Sequence, residues 1–128
     1  MITEDFCSFE VSKLLKEKGF DELCIFKYNS EGVRMKAGVA IDEWQNSELD
    51  DDECSCPSQS MVMKWLREVH GIFIAINNDD LDFNWQCYDL INRGSALDPK
   101  ILSESYAGYK TYEKTVEAAL KYSLENLL

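Results

Sequence analysis

Two cysteines one residue apart, Cys54 and Cys56, stand shortly before the single histidine of the chain, His70. With Cys87 they have the thiolate and imidazole donors of a tetrahedral zinc site. Structural zinc sites usually pair two knuckles of the Cys-x-x-Cys type, and this sequence has one Cys-x-Cys and no second pair. His70 also falls about four helical turns beyond Pro57, roughly 20 Å along a helix axis. The same separation argues against a Cys–His nucleophile, which needs hydrogen-bond contact. His70 precedes Gly71, and an imidazole there suits a helix C-terminus, where its cationic form favours the dipole. No metal, no cofactor and no catalytic residue is expected.

Carboxylates are the other chemical resource. The run Asp50–Asp52 and the stretch "NDDLD" (78–82) lack the alternating ligands, central glycine and terminal glutamate of a calcium loop. No Gly-x-Gly-x-x-Gly or phosphate-loop pattern occurs either. Residues 41–55 nevertheless hold seven acids, Asp42, Glu43, Glu48, Asp50, Asp51, Asp52 and Glu53, and no base. Most of the net charge of −11 lies there. A run of this kind repels itself, so a solvated, mobile loop is expected over about 40–56. It argues against nucleic-acid binding, which needs a basic face. These seven acids are the candidate binding residues, facing a basic protein surface.

The elements that must carry these residues follow from periodicity. Phe6, Cys7, Val11, Leu14 and Leu15 recur at helical spacing, and Gly19 is a stop. "ELCIFKY", the turn "NSEG" and "VRMKAGV" read as a hairpin, with Val33, Met35, Ala37 and Val39 on its apolar face. A second helix is expected over 57–70 with a stripe of Val62, Leu66 and Val69. "GIFIAIN" and "FNWQCYDLI" form a second hairpin, the latter with Phe83, Trp85, Cys87 and Ile91 on one face and Asp89 breaking the alternation. "RGSALDP" is a loop and "ILSESYAGYK" holds a short fifth strand. A last helix starts at a Thr111 cap, with Tyr112, Val116, Ala119, Leu120, Leu124 and Leu127 inward.

The first two helices also align. Val11, Lys13, Leu15 and Glu17 match Val62, Lys64, Leu66 and Glu68, and one inserted residue brings Gly19 onto Gly71. Each is followed by a hairpin, which suggests a duplicated αββ unit. The expected fold is α+β, in the order α-β-β-α-β-β-(β)-α. It has one mostly antiparallel sheet of four to five strands with helices on one face. Its 128 residues, 45% hydrophobic, suit a single domain, 1–128, with a real core. Five scattered cysteines, an odd number, argue against a disulfide framework. The acidic start "MITEDFCSFE" lacks the apolar core of a signal peptide. No apolar run approaches the roughly 20 residues of a membrane span. A cytoplasmic location away from membranes is expected.

The stretches "PSQSMVMKWLREV" and "YKTYEKTVEAAL" resemble a family of small uncharacterised proteins of phages and mobile elements of gut Bacteroidales. Ser58, Gln59, Trp65, Leu66, Arg67, Glu68 and Val69 fit its Pro-[Ser/Thr]-Gln entry and Trp-Leu-Arg-Glu-Val helix. Tyr109, Tyr112, Glu113, Ala118, Ala119 and Leu120 fit its Tyr-x-x-Tyr-Glu entry to a last helix. The resemblance implies a mobile-element accessory protein and brings no activity or binding residues with it. Together these readings favour a non-enzymatic protein-interaction domain with a protein partner; a homodimer stays open. The alternative is a small enzyme or ligand-binding domain using a pocket between sheet and helices.

Overall fold

The computed structural model describes residues 2–38, 43–79, 81–92, 100–105 and 108–128. The chain groups into two compact units, Met1–Gln59 and Ser60–Leu128.

The first unit opens with helix α1, Phe9–Glu17. The apolar spacing predicts a start at Phe6, but the Ser8 hydroxyl accepts from the Val11 N–H at 3.1 Å and sets the start. Phe6 instead forms an isolated antiparallel bridge with Ser58. The helix stops where expected. Gly19 takes φ +88, its N–H reaches the Lys16 carbonyl at 3.2 Å, and the Phe20 N–H reaches the Leu15 carbonyl at 3.0 Å. This is the paired bonding of a Schellman motif, and Phe20 and Leu15 supply its buried apolar contact.

Strands β1 (Phe26–Tyr28) and β2 (Arg34–Lys36) form the predicted antiparallel hairpin. The Asn29 carboxamide oxygen accepts from the Glu31 and Val33 N–H groups to shape the turn. Gly32, at φ +78, leaves room there for the Phe9 ring, which would lie 2.7 Å from a Cβ. The hairpin face is the reverse of the expected one. Phe26 packs edge-on against Phe6 at 4.8 Å. The Arg34 guanidinium lies 4.9 Å from both rings, while Val33 and Met35 are 54% and 44% exposed. The aromatic row, Phe26 and Tyr28, packs against Phe6 and against Phe9 of α1 with a cation beside it, so the aliphatic row faces outward.

The segment expected to be a mobile loop is structured where it is described. It holds a 3₁₀ turn, Asn46–Glu48, and a strand, β3 (Cys54–Ser55), that pairs with β1 and approaches α1.

The second unit is built on α2 (Gln59–His70), which begins at the last residue of the first unit. Val62 and Leu66 are buried as expected, as is Trp65, which with Met61 broadens the apolar stripe of the sequence; Met61 is 36% and Val69 60% exposed. One residue, Gly71 at φ +65, separates α2 from β4. Strands β4 (Ile72–Asn78), β5 (Phe83–Asp89) and β6 (Ile101–Glu104) are antiparallel in that spatial order. The β5–β6 register shifts at Cys87/Tyr88. Helix α3 (Tyr112–Asn126) starts at the Thr111 cap, whose hydroxyl accepts from the Lys114 N–H at 3.1 Å. It packs on β4 and β5. Val116, Ala119, Leu120 and Leu124 of α3 are fully buried, as is Cys87 of β5, and Ile72, Ile74 and Trp85 are nearly so. Tyr112, expected inward, is 46% exposed. Asp89 breaks the strand pattern because its carboxylate accepts from the Ile91 and Asn92 N–H groups and turns the chain. That leaves Ile91 74% exposed, not on the buried face. The loop predicted at "RGSALDP", Val39 and Asp42 lie outside the described residues.

The α+β class holds and the element order roughly matches, with the unexpected β3 inserted before α2. The described strands form two three-stranded sheets, β2-β1-β3 and β4-β5-β6, where one sheet of four to five strands was expected. Each unit runs helix, then hairpin, in line with the helix alignment. They part at the third strand: β3 joins the first strand of its hairpin and β6 the second. No helix among the described residues is long and apolar enough to cross a membrane.

Candidate functional site

The described candidate acids belong to the first unit, and the framework around them comes mostly from other residues. Asn46, 5% exposed, is its hub. Its amide donates to the Phe20 carbonyl at 2.7 Å, and its carboxamide oxygen accepts from the Ser55 N–H at 2.8 Å. The Ser47 N–H donates to the Asp21 carboxylate at 2.7 Å. Trp44 exchanges two backbone bonds with Cys24, both 2.7 Å. Residues 44–55 are thereby tied to the end of α1 and to the β1 edge.

Two lysines complete the arrangement. Lys16 projects from α1 and donates from Nζ to the carbonyls of Asp50 and Glu53, each at 2.6 Å. Those carbonyls bracket a turn closed by the Glu53 N–H on the Asp50 carbonyl at 3.0 Å. Lys27 of β1 pairs with the Glu53 carboxylate at 2.8 Å, with both side chains less than one-fifth exposed. Its ammonium also lies 5.0 Å from the Trp44 ring. The hydrogen bond from Lys27 holds the Glu53 carboxyl below its ordinary range, against the opposing effect of desolvation.

Of the seven candidate residues, Glu43, Glu48, Asp50, Asp51 and Asp52 are exposed. Glu53 is half-buried and engaged internally, and Asp42 lies outside the described residues. No ion pair joins Asp50, Asp51 or Asp52 to a base among the described residues. A cleft of about 280 Å³ lies beside the turn, lined by Lys13, Lys16, Glu17, Asp51, Asp52, Glu53 and Cys54. Another, of about 320 Å³, lies on the other side of Lys16 between Gly19–Asp21 and Asn46–Ser47.

The cysteines are core residues. None of the five forms a disulfide, and all are buried. Burial pushes the Cys24 and Cys54 thiols up to about 11 and raises that of Cys87. The Cys87 Sγ sits 3.4 Å from the Ser123 hydroxyl. His70 closes α2 with its ring edge-on to Trp65 at 4.5 Å. Among the described residues, no three His, Cys, Asp or Glu side chains converge as metal ligands.

Sequence patterns do not flag Lys16, Lys27 or Asn46. Their partners lie 34 and 37, 26, and 26 and 9 residues away, beyond the reach of any local period. No protein-family model, no curated protein and no solved structure matches this chain.

Proposed function

We propose that this chain is a non-enzymatic interaction domain, an accessory protein of a phage or mobile element, that docks its acidic turn onto a basic surface of another protein. One observation carries the reading. Lys16 donates its hydrogen bonds to main-chain carbonyls, not to carboxylates, so the turn is fixed while the carboxylates of Asp50–Asp52 stay available. A preformed turn spares a complex the ordering of its backbone, about 1–2 kcal/mol per residue fixed. Clustered exposed charge also steers encounter with an oppositely charged surface.

The test is affinity purification of tagged protein from host lysate, with mass spectrometry of the retained proteins. Replacing Asp50, Asp51 and Asp52 by Asn removes the charge and keeps the shape. A basic protein retained by the native chain, released by added salt and lost with the triple Asn variant, supports the reading. Retention unchanged in that variant excludes the turn from the interface.

A further inference from the structure

Four strand edges border the two sheets, and three are blunted. β2 carries Arg34 and Lys36. β3 has two residues, and the Asn46 side chain takes its outward Ser55 N–H. β6 ends in Glu104 and follows Lys100. Charge, shortness and cover are the ordinary means by which folded proteins prevent edge-to-edge pairing. β4 has neither charge nor shortness, and no described strand pairs with its outer edge. It is seven residues long, "IFIAINN", without charge or proline.

Its free backbone groups can be assigned. The Leu90 N–H donates to the Gly71 carbonyl and the Asp79 N–H to the Asp82 carbonyl. These bonds flank the β4–β5 register, so Phe73, Ala75 and Asn77 exchange ladder bonds with Tyr88, Gln86 and Asn84. Alternation then points the N–H and C=O groups of Ile72, Ile74, Ile76 and Asn78 away from β5. Among the described residues none of these four has a backbone partner on that side. Such a row of donors and acceptors calls for another strand.

We infer that β4 pairs antiparallel with β4 of a second copy of this chain, about a two-fold axis through Ala75. The edge itself selects the occupant: its outward-facing residues 72, 74, 76 and 78 are spaced symmetrically about Ala75, so a second β4 offers the matching donors and acceptors in phase, and it brings no charge to a seam between two chains of net charge −11. This register uses all seven residues. Ile72 lies opposite Asn78 of the second copy and Ile74 opposite its Ile76, so each outward-facing residue meets another. The Ile74–Ile76 pairs extend the apolar layer that α3 covers, and Phe73 on the other face, 39% exposed, lies opposite Asn77 of the second copy. Two three-stranded sheets become one continuous sheet across the axis. The inference stands apart from the acidic turn, which lies in the other unit.

Sedimentation equilibrium and light scattering on the whole chain test it. The expected mass is twice that of the chain, falling to one on dilution. Ala75→Lys and Ala75→Glu each place like charges face to face across the axis and give monomers with native circular dichroism. An equimolar mixture of the two restores the dimer. If the lysine or glutamate variant misfolds, Asn78→Pro removes an outward N–H at the strand end and lowers the dimer fraction instead. A native chain that stays monomeric at its highest soluble concentration overturns the inference. So does a dimer that survives Ala75→Lys and Asn78→Pro.

Discussion

Gly19 and Gly71 end their helices with the same sign of φ but in different surroundings. Nothing lies within 4 Å of a Cβ built at Gly19, whereas at Gly71 it would fall 2.5 Å from Ile91 Cγ1. Gly19→Ala therefore carries only the left-handed penalty, about 1–2 kcal/mol. Gly71→Ala adds a steric clash and should destabilise more. Urea titration of both variants measures the difference, and Ile91→Ala in the Gly71→Ala background should recover part of it. Both stops were legible because a glycine after an amphipathic run has one common use. Cys7, Cys24 and Cys87 stand in apolar patterns of the sequence, which marks them as small core residues for a similar reason. Cys54 and Cys56 do not, and their burial follows from β3 pairing with β1. A thiol reagent at neutral pH should leave all five cysteines unmodified in the native chain and label all five in denaturant. Rapid native labelling of any one would contradict this burial.

At the scale of elements, α1 and the acidic turn stand or fall together through Lys16. Lys16→Met removes two charge-assisted bonds and should destabilise by about 1.5–3 kcal/mol. Amide exchange should quicken at residues 51–53 more than in α3. The Lys27–Glu53 pair gives this region a pH dependence whose sign is fixed. A carboxyl held below its ordinary range stabilises the fold above that range, and this contribution disappears as pH falls through its lowered value. Glu53→Gln should therefore be less stable than the native chain at neutral pH and converge with it in acid. A stability gap that persists in acid would assign the effect to packing. None of this was legible, because a lysine on an exposed-looking helix position carries no mark of the carbonyls it will reach. The β2 face misled for a related reason. Alternation separates two faces of a strand, but it does not say which is covered when the polar face holds an arginine that lies over two phenylalanines.

Over the whole molecule, the order of elements was legible except for β3, and the partition into sheets was not. Helical and two-residue periods separate α from β along the chain. β3, however, is two residues inside an acidic stretch and shows no alternation, and it decides that β1 sits in the middle of its sheet. The charge distribution makes a prediction at this scale. With a net charge of −11, the folded chain repels itself, so its melting temperature should rise as salt is added from low ionic strength. The triple Asn variant at 50–52 should show a shallower rise, and equal slopes would place the repulsion elsewhere.

The single residue between α2 and β4 has a further consequence. His70 ends the helix and Ile72 begins the strand, so the helix phase dictates the strand phase with no slack to absorb an error. Successive strand residues point to opposite faces. One residue inserted after Gly71 would leave the composition of β4 nearly unchanged and invert its reading frame. Phe73 and Ala75 would turn toward α3, and Ile72, Ile74 and Ile76 would turn away from it. Gly71 thus acts as a punctuation mark: the strand after it keeps its meaning only while that mark stays one residue long.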